Sequence, residues 1–98
     1  MFSIEILNMS FPLPTKNGYF MYSKSNCKFC KMAKELLPDV TVVNVNVFIE
    51  TDKSKFLDKM ATIAEAEVKT FPIVFFNGIF LGGYTESREH LEARSDTV

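Results

Sequence analysis

Apolar and polar residues alternate with strand and helix periods through the first half of the chain. Residues 19–22 form a short continuous apolar run, which predicts a strand buried on both faces. From residue 27 to about residue 37 the pattern is helical, with Ala33, Leu36 and Leu37 facing inward, until Pro38 ends it. Residues 43–47 alternate valine with asparagine and predict a second strand. Strand, helix and strand within about 30 residues indicate a parallel βαβ unit.

The second half of the chain predicts a helix, a hairpin and a last helix. Thr51 or Asp52 is expected to cap a helix with one apolar stripe, made of Phe56, Leu57, Met60, Ile63 and Ala64. Two apolar runs, 73–76 and 79–81, flank Asn77-Gly78, which predicts a hairpin with a type I′ turn. Gly82-Gly83 ends the second run. We expect Thr85 to cap the last helix, Leu91 and Ala93 to pack inward, and residues 95–98 to fray.

The first 14 residues predict an N-terminal arm or an extra strand. Phe2, Ile4 and Ile6 alternate with polar residues at strand period, and Phe11-Pro12-Leu13-Pro14 is extended or turning. This segment is expected to cover an edge of the core, with a partner-binding arm as the alternative. Residues 15–18 read as a turn.

Length and charge restrict the function classes. The 98 residues, 47% of them hydrophobic, predict a single domain over 1–98. A net charge of −1 without basic clusters argues against a nucleic-acid or membrane partner. No run of ~18 apolar residues predicts a membrane span. No secretory signal is expected, because Glu5 and Asn8 interrupt the apolar residues near the N-terminus.

The two cysteines, Cys27 and Cys30, carry the candidate chemistry. At the first turn of the predicted helix, the sulfur of Cys27 meets unpaired N–H groups and the positive end of the helix dipole, which favour the nucleophilic thiolate. Cys30 lies one turn further on the same face. Two structural thiols are the alternative. Because His90 is the only histidine, no metal site is expected; it reads as a surface residue. One CxxC without other cysteines favours a reducing, cytoplasmic setting.

The chain resembles the glutaredoxin family in four short segments, which follow one another in the same order as in that family. They are Lys24 three residues before Cys27, Cys27-Lys28-Phe29-Cys30, Thr70-Phe71-Pro72, and Gly82-Gly83-Tyr84-Thr85-Glu86. The resemblance covers about residues 18–94 and is to the dithiol type. It agrees with the predicted fold: an α/β, thioredoxin-like fold with a four-stranded mixed sheet, βαβ then αββα, flanked by helices.

The resemblance implies a glutathione site. Pro72 resembles the family's cis-proline, which leaves the backbone of Phe71 free to pair with glutathione beside Cys27. Lys24, with Lys69, would meet the glycine carboxylate. At the other end, Thr85 and Glu86 would hold the γ-glutamyl group at the helix start. The residues expected to bind glutathione are Lys24, Phe29, Lys69, Thr70, Phe71, Pro72, Gly83, Tyr84, Thr85 and Glu86.

Three positions depart from the family's usual residues: Lys28 replaces proline, Phe71 replaces valine and Glu86 replaces aspartate. None of these changes removes an essential atom. The implied function is a monomeric, glutathione-dependent thiol–disulfide oxidoreductase. Glutathione is its co-substrate, and its partners are disulfide-containing or glutathionylated proteins such as a ribonucleotide reductase. A glutathione-ligated iron–sulfur carrier, bridging two subunits, is the alternative.

Overall fold

One mixed sheet of four strands forms the centre of the computed structural model, which describes residues 11–96. The strands are β1 (Tyr19–Ser23), β2 (Thr41–Asn44), β3 (Ile73–Phe76) and β4 (Ile79–Gly82), in the spatial order β2-β1-β3-β4. Within the described residues the helices are α1 (Lys28–Leu36), α2 (Asn46–Ala64) and α3 (Tyr84–Asp96). β1 pairs in parallel with β2 and antiparallel with β3, and β3 pairs antiparallel with β4. The predicted plan, βαβ followed by αββα, is confirmed.

Strand β1 sends alternate side chains into two cores, one on each face of the sheet. The core between the sheet and α2 contains Phe20, Tyr22, Val45, Phe56, Met60, Val68, Ile73 and Phe75. The core on the opposite face, under α1 and α3, contains Tyr19, Met21, Cys30, Ala33, Leu37 and Val74. Burial on both faces explains why residues 19–22 are a continuous apolar run instead of an alternating one.

Strand β2 ends earlier than the valine pattern predicted. Asn44 is its last residue, and the predicted strand positions Asn46 and Val47 already belong to α2. The Asn44 side chain accepts a hydrogen bond from the Asn46 N–H at 2.9 Å. The carbonyl of Val45 accepts from the N–H groups of Phe48 and Ile49. Because asparagine competes for backbone groups in this way, it turns the chain where the valines alone favour extension.

Helix α2 contains a break at the position where a cap was predicted. Asp52 has extended backbone angles, φ −163° and ψ 94°, inside the helix. Its carboxylate accepts a hydrogen bond from the Lys55 N–H at 3.1 Å, which is the geometry of an N-cap. The predicted start is therefore confirmed, but it begins the second segment of a longer helix. The predicted stripe is also confirmed, since Phe56 and Met60 are fully buried.

The hairpin between β3 and β4 has the predicted type I′ turn. Asn77 and Gly78 have φ values of 52° and 81°, the left-handed conformation that both central residues of this turn require. Phe76 pairs with Ile79 and Phe75 with Phe80, but the next pair joins Val74 to Gly82. The extra residue on β4 makes a β-bulge, which redirects the chain towards the start of α3.

Helix α3 differs from its prediction at both ends. Gly83 accepts the first helical hydrogen bond, from the Ser87 N–H at 3.1 Å. Gly83 is therefore the N-cap, and the prediction that Thr85 caps the helix is wrong. Leu91 packs towards the core as predicted, but Ala93 is exposed, because two residues turn the helix by about 200°. Residues 95 and 96, predicted to fray, are helical. Residues 97 and 98 lie outside the described residues.

His90 is a packed residue and not the surface residue that was predicted. Its Nδ1 lies 2.9 Å from the hydroxyl oxygen of Tyr19. Its ring centroid lies 4.7 Å from that of Phe76. Tyr19 begins β1, whereas Cys27 follows the other end of that strand, so the contacts of His90 lie away from the cysteines.

Phe11 and Pro12, within the predicted arm, contact the core, whereas Leu13 is exposed. Phe11 packs against the rings of Tyr22, Phe48 and Phe56, with centroid distances of 5.5, 5.1 and 5.6 Å. The Tyr22 hydroxyl donates a hydrogen bond to the carbonyl of Pro12 at 2.7 Å. The alternating residues Phe2, Ile4 and Ile6 lie outside the described residues. Within residues 11–96, no helix is both long and apolar enough to cross a membrane.

Candidate active site

The loop that leads from β1 to the cysteines is held by the first residue of α2. The Asn46 side chain accepts a hydrogen bond from the Ser25 N–H at 2.9 Å and donates one to the Ser25 hydroxyl at 2.7 Å. The following residue, Asn26, has a φ of 56°. Asparagine adopts this left-handed conformation more readily than most residues. The sequence did not reveal this role of Asn46, because the valine pattern assigned it to a strand.

Cys27 is the N-cap of α1. Its backbone is extended, and its Sγ accepts a hydrogen bond from the Cys30 N–H at 3.2 Å. The first turn of α1 carries no acidic residue, so no nearby carboxylate on the helix opposes negative charge on the sulfur. A helix N-terminus stabilises an anion by about 0.3–1 kcal/mol, and a hydrogen bond to an ion adds to this. The site therefore favours a Cys27 thiolate once the cysteine is reduced.

The two sulfurs differ in accessibility. Cys27 and Cys30 are joined by a disulfide, with their Cα atoms 5.2 Å apart. Cys30 is 3% exposed and belongs to the core under α1, whereas Cys27 is partly exposed. A reactant from solution reaches Cys27 first, and Cys30 lies behind it. This arrangement suits interconversion between a dithiol and a disulfide in which Cys27 reacts first.

A basic groove of about 330 Å³ lies on one side of Cys27. Its charged lining consists of four ammonium groups, from Lys24, Lys28, Lys53 and Lys69. Lys69 lies 3.6 Å from the Glu67 carboxylate, but both side chains are largely exposed, so this pair is weak and leaves Lys69 available. The groove is suited to a carboxylate. Lys53, the residue that follows the break at Asp52, was not among the predicted site residues.

The groove continues towards the N-terminus of α3. The adjoining section, of about 290 Å³, shares Phe29, Thr70 and Phe71 with the basic section and ends at Thr85 and Glu86. The rings of Phe29 and Tyr84 lie 5.8 Å apart at this end. In the described residues, no hydrogen bond engages the N–H of Thr85 or Glu86, as expected in a first helical turn. This end of the groove offers donors to an anion.

The Glu86 side chain folds back on its own helix. Its Oε1 accepts a hydrogen bond from the Gly83 N–H at 2.8 Å, half of a capping box. Gly82 makes room for this contact: a Cβ there would lie 2.8 Å from Glu86 Oε1, and the φ of 135° is one that few other residues adopt. The predicted ammonium contact of Glu86 must therefore use the carboxylate's remaining acceptor capacity.

Phe71 lines the groove beside Cys27, and Pro72 follows it in the chain. The bond between them is cis, as predicted, and Pro72 is buried. The Phe71 ring stacks on that of Phe56, with centroids 6.1 Å apart and an interplanar angle of 10°. Among the described residues, no hydrogen bond engages the backbone N–H or C=O of Phe71. An extended ligand has access to both groups.

The structure thus brings the predicted site residues to one region. The two sections of the groove are lined by Cys27 and, of the predicted glutathione-binding residues, by Lys24, Phe29, Lys69, Thr70, Phe71, Gly83, Tyr84, Thr85 and Glu86. Cys30 lies behind Cys27. Asn26, Ile49 and Lys53 also line the groove and were missed, since nothing in their spacing indicates it. Over residues 11–96, no three His, Cys, Asp or Glu side chains form a metal-binding group.

Solved structures share this architecture. Oxidized glutaredoxin 2 from Chlamydomonas reinhardtii superposes with a TM-score of 0.60 at 28% identity, over 81% of this chain and 75% of that one. Glutaredoxin 1 from Francisella tularensis, complexed with cacodylate, gives 0.60 at 22% identity, over 81% of this chain and 96% of the other. At that identity the second match concerns the fold alone. The chain has a thioredoxin-like α/β fold.

The sequence comparisons narrow this to a family. The glutaredoxin family model matches residues 20–81. The mitochondrial glutaredoxin-2 of Rattus norvegicus is 34% identical over 83 residues, 82% of this chain and 52% of the relative. That of Homo sapiens is 35% identical over 81 residues, 80% of this chain and 48% of the relative. The chain belongs to the glutaredoxin family, with the cysteine pair of the dithiol type. It spans about half the length of these curated relatives.

Proposed function

We propose that the chain is a glutathione-dependent thiol–disulfide oxidoreductase that reduces protein disulfides and glutathione mixed disulfides. One observation carries the proposal: the Cys27 sulfur accepts the Cys30 amide hydrogen at the start of α1 and lies beside a groove with a basic end and a helix N-terminus at the other. A nucleophilic sulfur and a site for a peptide with carboxylates at both ends are what this chemistry requires.

In the proposed cycle, the Cys27 thiolate attacks one sulfur of the substrate disulfide. A mixed disulfide forms at Cys27, and the other substrate sulfur leaves as a thiolate and takes a proton from solvent. Cys30 then loses its proton and attacks Cys27 Sγ, which releases the reduced substrate and leaves the Cys27–Cys30 disulfide. The two electrons that reduce the substrate come from the two cysteines.

Two glutathione molecules restore the dithiol. The first thiolate attacks Cys27 Sγ, which forms a Cys27–glutathione mixed disulfide and frees Cys30. The second attacks the bound glutathione sulfur, so that glutathione disulfide leaves and the Cys27 thiolate returns. When the substrate is itself a glutathione mixed disulfide, the Cys27 thiolate attacks its glutathione sulfur and the protein thiolate leaves. The Cys27–glutathione mixed disulfide that forms is then resolved by one further glutathione, so Cys30 is not needed. Glutaredoxin potentials of about −200 to −230 mV lie near those of cellular glutathione pools, which allows turnover in either direction.

Glutathione is proposed to lie along the groove in one orientation. Its glycine carboxylate would meet Lys24, Lys53 and Lys69, and its cysteine backbone would pair with Phe71. Its γ-glutamyl carboxylate would accept hydrogen bonds from the N–H groups of Thr85 and Glu86. The exposed ring of Phe29 and the ring of Tyr84 would flank that end. The two sections share Phe29, Thr70 and Phe71, which supports one continuous ligand.

The setting and the protein partners are also proposals. Glutathionylated or disulfide-containing proteins, such as a ribonucleotide reductase, are the proposed substrates, and the proposed form is a monomer. We propose a cytoplasmic, reducing compartment; the curated relatives carry mitochondrial names, which describe those proteins. No observation favours the alternative of an iron–sulfur carrier.

A turnover assay tests the proposed reaction. The reduced protein is mixed with glutathione and a glutathionylated peptide, and formation of glutathione disulfide is coupled to NADPH oxidation by glutathione reductase. Turnover is expected from the wild-type protein, and none above background from Cys27→Ser. Full turnover by Cys27→Ser, or none by the folded wild-type protein, would contradict the proposal.

A further inference from the structure

A second concavity lies on the other side of the cysteine loop. It has a volume of about 690 Å³ and runs between α1 and strands β1 and β2, with Met21 and Val42 among its lining residues. It reaches both Cys27 and Cys30 but shares none of the aromatic residues that line the groove proposed for glutathione. Cys27 lies where the two depressions meet, and Lys24, Asn26 and Lys28 also line both of them. A ligand larger than a tripeptide, bound at Cys27, has a second surface to contact.

The charge of this concavity is entirely positive. Its charged lining residues are Lys24, Lys28, Lys31 and Lys34, and no carboxylate lines it. All four lysines are exposed, and none takes part in an ion pair within the described residues. The chain as a whole carries a net charge of −1, so four of its 11 basic residues are concentrated here. Such a concentration attracts anionic groups, and its effect decreases as salt rises.

The lysine row is long enough to contact two acidic side chains of an extended chain. Lys28, Lys31 and Lys34 recur every third residue of α1, so neighbouring lysines rise by about 4.5 Å and the first and last are about 9 Å apart along the helix axis. An extended polypeptide advances about 3.3 Å per residue, and alternate side chains face the same way. Acidic residues two apart are then about 7 Å apart and face the same lysine row. The neighbouring strand β2 is an edge strand of the sheet, which leaves space along this side.

We propose that this concavity docks an acidic segment of the protein substrate, next to the cysteine that is reduced. The inference rests on the proposed function and specifies its substrate class: disulfides or glutathionylated cysteines with Asp or Glu a few residues away. Glutathione occupies the other groove, so the polypeptide leaves Cys27 on the lysine side. A nucleic acid fits less well, because the concavity holds only four of the 11 basic residues of a chain with a net charge of −1.

The test compares two glutathionylated peptides that differ only in charge. One carries Asp two and four residues from the cysteine, and the other carries Asn at the same positions. The test variant is Lys31→Gln/Lys34→Gln, which leaves Lys28 beside Cys27 unchanged. The control is Lys16→Gln/Lys59→Gln, with the same change in charge. Lys16 lies near the β3–β4 turn, since a Cβ at Gly78 would be 3.9 Å from its Cα. Lys59 lies on α2, which packs on the opposite face of the sheet.

The expected result is a charge preference that depends on the two lysines. Wild type and control should turn over the Asp peptide with a kcat/KM about fivefold above that of the Asn peptide at low salt, as two exposed ion pairs would give. In Lys31→Gln/Lys34→Gln the ratio should fall towards one, with the Asn peptide unaffected. High salt should remove the preference from the wild-type protein. An unchanged ratio in that variant, or an equal loss for both peptides, would overturn the inference.

The test separates this inference from the proposed function. Turnover of the Asn peptide without any Asp preference removes the docking proposal and leaves the oxidoreductase intact. If neither peptide turns over, the oxidoreductase proposal fails. Docking is then decided by fluorescence anisotropy of the Asp peptide, with Ser in place of its cysteine. Salt-sensitive binding that Lys31→Gln/Lys34→Gln weakens would support docking, and its absence would overturn it. A single-stranded oligonucleotide that binds more tightly than the Asp peptide would overturn it in favour of a nucleic-acid site.

Discussion

The ammonium nitrogen of Lys24 lies 5.3 Å from the centroid of the Phe71 ring. This cation–π contact joins the cysteine loop to the groove residue that precedes Pro72. It holds the lysine over the groove without a carboxylate partner among the described residues. Lys24 is therefore positioned before a ligand arrives, and its charge remains available to an incoming carboxylate.

Removal of this ammonium should weaken glutathione binding. In Lys24→Ala we expect the KM for glutathione to rise about fivefold, the worth of one partly screened ion pair, with a smaller change in kcat. Lys16→Ala, at the distant turn, is the matched control and should leave KM unchanged. Steady-state kinetics at low and high salt check this, because the difference between the two variants should shrink as salt rises. Equal KM values for both variants would contradict the proposed role of Lys24.

Removal of the buried cysteine should separate the two proposed routes. Cys30→Ser keeps the sulfur of Cys27 and its helix N-terminus, so reduction of a glutathione mixed disulfide should persist. Reduction of a protein disulfide should be lost, because the variant has no Cys30 thiolate to attack the mixed disulfide between Cys27 and the substrate. Parallel assays with a glutathionylated peptide and a disulfide-bonded protein measure both. Loss of both activities in a folded Cys30→Ser protein would contradict the division of roles.

Gly82 should be far less tolerant of a side chain than Gly18, although both have positive φ. A Cβ at Gly82 would meet the Glu86 side chain at 2.8 Å, whereas at Gly18 it would meet nothing within 4 Å. We expect Gly82→Ala to lower the free energy of unfolding by about 2–4 kcal/mol, through strain and loss of the Glu86 cap. Gly18→Ala should cost only about 1 kcal/mol, from its backbone conformation. Urea unfolding measures both, and equal costs would be inconsistent with the Glu86 contact.

Tyr22 should make stability depend on alkaline pH. Burial raises the pKa of its hydroxyl well above the ordinary value of about 10. Above pH 10 the tyrosine ionises readily only in the unfolded state, which this ionisation stabilises. The contribution of Tyr22 to the free energy of unfolding is therefore complete below pH 10 and is lost progressively above it. Tyr22→Phe removes the ionisation and also the hydrogen bond to Pro12, at a cost of about 1 kcal/mol. Unfolding at neutral and alkaline pH should show a weaker decline for the variant. Parallel declines would refute the assignment.

The sequence predicted the turns and helix ends that are determined by a few adjacent residues. The hairpin follows from Asn77-Gly78, which adopt the left-handed angles of a type I′ turn. The helical pattern places the start of α1 at Cys27, and Pro38 places its end. The residue types of Thr51 and Asp52 both predict a cap, and it is the Asp52 carboxylate that caps the second segment of α2.

Features set by side-chain hydrogen bonds to the backbone were misplaced in the sequence prediction. The valine alternation extended β2 too far, because the Asn44 side chain turns the backbone and Asn46 is used by the cysteine loop. The cap of α3 was assigned to Thr85, although the bulge in β4 and the Glu86 contact place it at Gly83. Two of these hydrogen bonds are local, from Asn46 to Asn44 and from Gly83 to Glu86, and the one from Ser25 to Asn46 is tertiary; together they outweigh the propensities read from the sequence.

The pKa of the Cys27 thiol in the reduced protein tests the central claim most directly. It is measured by the ultraviolet absorbance of the thiolate, or by the rate of alkylation with iodoacetamide against pH, in Cys30→Ser so that one sulfur reports. The hydrogen bond from the Cys30 N–H and the dipole of α1 predict a pKa below that of free cysteine, with faster alkylation at neutral pH. Alkylation no faster than that of free cysteine, together with no measurable affinity for glutathione, would contradict the account.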